Sequence, residues 1–171
     1  LKMKKKILIF ILLNILTLNS KAEIVYIDIN FILNSSDVGK NLNTYLEIVK
    51  NKNSLKYKEI ENDLVNKEKS LIAQQNILDK EQFQKKLKKL TSEVQKYRSD
   101  KKVSLEELNN IKINKTKEIL SALNPIITKY VDENSISIVI PKKNIVVGRK
   151  NLDITNQIIK LLNKNITKLE F

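Results

Sequence analysis

The sequence predicts an α+β fold, a long antiparallel helical hairpin inserted into a small β body. Three observations predict it. Between Asp37 and Leu123 there is no Pro, and the single Gly is Gly39. Within that stretch apolar residues recur at helical spacing. They run from Val38, Leu42, Tyr45 and Val49 through Tyr57, Ile60, Leu64 and Leu71 to Phe83, Leu87, Leu90, Val94, Tyr97, Leu105 and Leu108. Lys, Glu, Asn and Gln fill most places between, so the stripe is that of a coiled-coil seam. It is too thin to form the core of a compact domain. The third observation is that short β-branched runs lie only toward the two ends of the chain. With 5% aromatic and 30% charged residues, two Gly and two Pro, the composition suits long helices better than a packed globule.

In chain order, residues 1–22 read as a secretory signal peptide. Lys2 and Lys4 to Lys6 form a basic start and Ile7 to Leu18 an apolar run. Ser20-Lys21-Ala22 is a small-x-small site that places cleavage after Ala22. The run is shorter than the ~20 residues that span a bilayer, which disfavours a membrane anchor. Five Lys and no acid lie in this segment, so its removal lowers the net charge from +13 to +8. A secreted basic chain points toward anionic lipid surfaces and proteins, and away from nucleic acid.

The first part of the body is residues 23–36. Ile24 to Ile29 reads as a strand and Phe31-Ile32-Leu33 as one helical turn. Asn34, Ser35, Ser36 and Asp37 are N-cap candidates. The arm spans residues 37–123. Its first helix is expected to end at Gln74 or Gln75. The stripe slips near Asn53, which marks a bend or loose packing. Residues 74–79 are the expected turn, with Asp79 and Gln82 spaced as a capping box. One uninterrupted helix of about 85 residues is the alternative; the hairpin matches the two stripes to each other.

The rest of the body is residues 124–171. Asn124-Pro125 is expected to break or kink the return helix, with a further helix to about Val131. Asp132 to Asn134 reads as a turn and Ser135 to Ile140 as a strand. Pro141 to Asn144 is a hairpin-type connection to a strand at Ile145 to Val147. Asp153 is the expected N-cap of a last helix, and Thr167 to Phe171 a frayed tail. So small a body carries a high apolar load in Ile24, Val25, Ile27, Ile138, Ile140, Ile145 and Val147. It is expected to be completed by other copies of the chain.

Catalysis is not expected. There is no His or Cys, no G-x-S-x-G and no Gly-rich phosphate loop, and Asp28, Glu106 and Glu107 read as capping or solubilising groups. Lacking Cys and His, the chain has no disulfide and no thiolate or imidazole metal site, and no cofactor is expected. Charge is concentrated near the turn. Lys80, Lys85, Lys86, Lys88, Lys89, Lys96, Arg98, Lys101 and Lys102 face only Glu81, Glu93 and Asp100. This basic tip is the candidate surface for clients or membrane, and Asn53, Asn124 and Pro125 are candidate hinges.

Ile24 to Ser36 (IVYIDINFILNSS), the charged hairpin, and the ending SIVI then LDITNQIIKLLN at residues 137–140 and 152–163 resemble the Skp/OmpH family of periplasmic chaperones. The resemblance implies a homotrimer whose strands form a β-barrel body and whose three arms enclose a cavity. It implies an ATP-independent holdase for unfolded outer-membrane proteins, delivering them for outer-membrane assembly from the periplasm. Anionic lipid or lipopolysaccharide is a further implied partner, without assigned residues. The alternative from another class is a structural coiled-coil envelope protein that bridges anionic lipid or cell-wall components.

Overall fold

The computed structural model describes residues 23–166. The expected signal segment, its cleavage point after Ala22 and the tail from Thr167 lie outside them. Strand β1 (Glu23–Ile27) begins one residue earlier and ends two residues earlier than expected. Asp28 stops it by capping a helix, its Oδ1 accepting the Phe31 N–H at 2.9 Å. The helix α1 (Ile29–Ser35) makes two turns where one was expected. Of the four cap candidates that follow, Ser36 is the one used: its buried Oγ accepts the Gly39 N–H at 3.2 Å. Helix α2 (Asp37–Ala73) starts there and is about 55 Å long at 1.5 Å per residue.

The chain turns back over residues 74–79. Asp79 Oδ1 accepts the Gln82 N–H at 2.8 Å and caps α3 (Lys80–Glu133). The hairpin therefore forms, and a single long helix does not. The expected break at Asn124-Pro125 is absent, because α3 runs through Pro125 to Glu133. Asn124, Pro125 and Ser121 are all exposed, so the Ser121 carbonyl that loses its partner faces water. Ile119 and Leu123 on one side, and Ile126, Ile127, Tyr130 and Val131 on the other, hold the axis to the body. The turn falls instead at Asn134 and Ser135, the latter in left-handed backbone with φ 54°.

Strand β2 (Ile136–Pro141) pairs in parallel with β1, so that Ile24 lies beside Ile138, Val25 beside Val139 and Tyr26 beside Ile140. The sheet thus ties the two ends of the chain together, with the hairpin inserted between its strands. The third strand is absent. Lys142–Asn144 forms a 3-10 turn, and residues 145–149 pair with nothing in the sheet. The far side of β1 is met instead by an isolated bridge from Tyr26 to Asp153. Among the described residues nothing pairs with the far edge of β2. A second 3-10 turn, Lys150–Leu152, leads to α4 (Thr155–Asn165). Asp153 sits one residue too early to be its N-cap, which is Ile154.

The core belongs to a single chain. Val25, Ile27, Ile32, Val38, Leu42, Ile119, Leu123, Ile136, Ile154, Ile158 and Leu162 bury together. The body was expected to need other copies to bury its apolar load. Part of that load is buried within the chain, because the roots of both arm helices, through Val38, Leu42, Ile119 and Leu123, pack into the body. Val25 and Ile27 belong to this internal core. The opposite sheet face is only partly covered. Tyr26 is shielded by Gly148, where a Cβ would come within 2.7 Å of its ring, and its hydroxyl donates to the Arg149 carbonyl at 3.1 Å.

A polar knot closes the ends of the body. Lys142 Nζ lies 2.9 Å from Asp153 Oδ2. Asp153 Oδ1 accepts the Thr155 N–H at 3.0 Å and also the Thr155 hydroxyl. Thr155 Oγ1 in turn accepts the Asp28 N–H at 2.9 Å. Burial alone would raise the Asp153 carboxyl. The bonds from Thr155 and Lys142 outweigh it and hold the carboxyl below its ordinary value. A carboxylate depressed in the folded state contributes stability above its unfolded pKa and loses it as pH falls through the folded one. Asp153→Asn is therefore expected to lower stability at pH 7 by about 1 kcal/mol, for a partly exposed charged bond. It is also expected to flatten the loss of stability below about pH 4. Urea melts from pH 3 to 7 test both; parallel pH profiles for the two proteins would contradict the assignment.

Candidate functional site: the helical arm

The arm is held by a thin and unequal seam. Beyond the body α2 buries only Tyr57, Leu64 and Leu71. On α3, Phe83, Leu90, Val94 and Tyr97 face them but are only half-buried, as is Leu108, which lies nearer the body beside Leu46. Each fully buried side chain is worth about 1.5–3 kcal/mol, so the arm is fastened far more weakly than the body. Two stripe members depart from the expected seam. Leu87 is 39% exposed and Leu105 61% exposed. From Tyr97 the seam advances seven residues to Ser104, which leaves Leu105 turned outward.

Near the arm's middle the apolar seam gives way to a polar lattice. Asn53 Nδ2 donates to Ser104 Oγ at 2.7 Å. Tyr57 donates its hydroxyl hydrogen to the Asp100 carbonyl at 2.9 Å. The Tyr57 and Tyr97 rings meet edge-on at 6.1 Å, and Tyr97 donates to Glu61 Oε2 at 2.8 Å. Lys101 donates to the Tyr97 hydroxyl at 3.0 Å, which raises the Lys101 pKa. The slip in the stripe at Asn53 makes room for hydrogen-bonded side chains. A part-buried Asn–Ser pair at the seam bonds in one alignment and so favours one helix register.

The nine basic tip residues are not equivalent. Lys89, Lys96, Lys101 and Lys102 are ion-paired with Glu93, Asp100, Glu61 and Glu106 at 4.0, 2.9, 3.9 and 3.8 Å. Lys86 donates to Gln74 Oε1 at 2.8 Å. Lys80, Lys85, Lys86, Lys88 and Arg98 have no ion pair among the described residues, and these five carry the charge that no carboxylate offsets. Lys67, outside the expected cluster, bridges Asp63 and Glu93 at 2.8 and 2.9 Å and is raised in pKa, mostly by the Asp63 bond. At the apex Leu78 and Phe83 are half-buried, as seam packing predicts, but Ile77 is 80% exposed.

The expected oligomer residues also divide. Val25 and Ile27 are internal, and Ile140 and Ile145 are half-buried. Ile24 and Ile138, neighbours across the sheet, are 45% and 50% exposed. Val147 is 90% exposed, and its neighbour Val146, absent from the expected set, is 99% exposed. The run of β-branched residues at 145–147 was the signal that could have found it. No helix among the described residues is long and apolar enough to cross a membrane.

Residues 23–162 match the model of a family described as outer membrane protein (OmpH-like). The chain is also similar to the crystal structure of an OmpH-like protein from Caulobacter crescentus CB15, assigned there to the outer membrane chaperones. The TM-score is 0.82 at 16% identity, over 88% of this chain and 89% of that one. At such an identity the likeness shows the fold. No curated protein sequence matches the chain.

Proposed function

The chain belongs to the OmpH-like family, and on that premise we propose that it is an ATP-independent periplasmic holdase. Three copies close a β-barrel body, and their arms enclose an unfolded outer-membrane protein and carry it to the assembly site. The family is non-enzymatic. The observation that carries the reading is an arm of about 55 Å standing on a body whose sheet has an open edge and the exposed pair Ile24 and Ile138. Such an edge is a template for strand addition, and natural proteins cover it. Residues 145–147, apolar and unpaired, supply a strand that a neighbouring copy can take.

Holding follows from weak, many-sided contact. Three tips carrying Lys80, Lys85, Lys88 and Arg98 repel one another and keep the mouth open, while drawing in acidic chains. Long Lys stems lie along apolar client surface with the charge left in water. A thinly seamed arm adapts to clients of different shape. Release needs no nucleotide, because folding or insertion of the client replaces many weak contacts.

The test is dilution of a urea-unfolded β-barrel protein into buffer with and without the chain lacking residues 1–22. Aggregation is expected to be suppressed at about one trimer per client, and less so at 0.5 M salt, where charges are screened beyond about 4 Å. A second reading, a structural envelope protein bridging anionic surfaces, is favoured by Ile77 standing bare at the apex beside free lysines. It requires binding to anionic vesicles with aggregation unchanged, and that outcome would replace the holdase reading.

A further inference from the structure

We propose that a groove along one flank of the arm's body-proximal half is the seat for one extended client segment, in which apolar and acidic residues alternate. The inference rests on the holdase reading and adds to it the place and the chemistry of binding. Its origin is the step from Tyr97 to Ser104. Because Ser104 holds the seam with Asn53, the next residue, Leu105, points into a groove and is 61% exposed.

Leu105 and Asn109 each line two adjoining hollows of about 670 and 500 Å³. One reaches toward the tip as far as Glu61, the other toward the body as far as Asn43. Opposite Leu105, α2 offers Glu47 and Lys50, which cannot cover it. Leu46, Leu105 and Leu108 therefore form an apolar floor without a lid.

The rim selects the charge of the occupant. Lys101 and Lys102 are neutralised by Glu61 and Glu106. Arg98 on the tip side, and Lys50, Lys112 and Glu47 on the body side, have no ion pair among the described residues, which leaves three cations against one carboxylate. Asn43 to Glu61 spans about 27 Å of helix at 1.5 Å per residue. That length accepts about eight residues of extended chain, whose alternate side chains share one face at intervals of about 7 Å. Apolar side chains on one face meet the leucine floor, and acidic ones on the other reach the free cations. Alternation of apolar and polar residues is the pattern of a transmembrane β-barrel strand, so an unfolded barrel presents many such segments.

The experiment uses a fluorescein-labelled nine-residue peptide alternating Ile and Asp, and a counterpart alternating Ile and Lys. Anisotropy is read with the chain lacking residues 1–22. The acidic peptide is expected to bind about tenfold more tightly than the basic one, a difference of roughly 1.4 kcal/mol. Leu105→Asp is expected to weaken the acidic peptide about tenfold through lost apolar contact and like charge. Leu55→Asp, at a site 71% exposed and outside the groove, is the control and is expected to change nothing. Equal binding of the two peptides overturns the proposal. So does an equal loss with Leu55→Asp, or a fall in assembly mass with Leu105→Asp, which would put a second copy's arm in the groove. Aggregation suppression by the unsubstituted chain is read in the same samples. Its absence overturns the holdase reading; its presence without peptide discrimination overturns the groove alone.

Discussion

A chain carrying Ile24→Lys and Ile138→Lys is expected to be a folded monomer that no longer suppresses aggregation. The two side chains lie side by side on the sheet face turned away from the core, half-exposed at 45% and 50%. Completing the burial of each in an assembly stabilises it by about 1 kcal/mol, and three copies repeat the contact. A lysine at either place reverses the sign, since an unpaired ammonium in a dry interface costs several kcal/mol. The single chain loses little, because neither isoleucine belongs to its core. Light scattering should fall from three copies of the chain to one, with helical circular dichroism nearly unchanged and the urea midpoint lowered only by the loss of association. Val25→Lys is the contrasting case: Val25 is 2% exposed in the internal core, and that chain should not fold. Persistence of three copies in the double variant would place the assembly on another surface and end the proposed role for this sheet face.

What was legible in the sequence is what a period or a local cap can encode. The arm was readable because one helix face repeats for over a dozen turns, and its turn because Asp79 and Gln82 are correctly spaced. The insertion of the hairpin between β1 and β2 followed from where the β-branched runs lie. Illegible features depend on which element a residue meets. Pro125 reads as a break, yet Ile119, Leu123, Ile126 and Ile127 pin the helix on both sides of it. Residues 145–147 read as a strand, but a strand needs a neighbour, and one chain supplies none there. Leu105 reads as seam because it is apolar and near the right spacing. The seam instead keeps Ser104, since Asn53 across from it needs a partner. Val25 and Ile27 read as interface because the body looked too small for a core. That the arm's roots pack into the body and bury these two is visible only in three dimensions.

Gly39 shows the same limit at a single atom, and it carries the second large prediction. Alanine for glycine inside a helix ordinarily stabilises by about 0.8–1 kcal/mol. Gly39 has no left-handed backbone that would demand glycine, so the sequence alone predicts a gain for Gly39→Ala. The structure predicts a large loss. A Cβ at this position would lie 1.8 Å from the Leu33 carbonyl oxygen, 2.6 Å from its carbon and 3.0 Å from Ser36 Oγ. The nearest of these are backbone atoms of α1, so no rotamer change relieves the clash. α1 must move away from α2, and Ile32, Ser36 and Val38, all fully buried at that junction, move with it. Overpacking against side chains costs about 1–3 kcal/mol; against fixed backbone the expected loss is about 3 kcal/mol or more. Urea unfolding measures it. Asn41→Ala, at an exposed site one turn away or less, is the control and should shift the midpoint little. A stabilised Gly39→Ala chain would mean that α1 and α2 are not in contact, and the arm would then have lost the brace that sets its direction from the body.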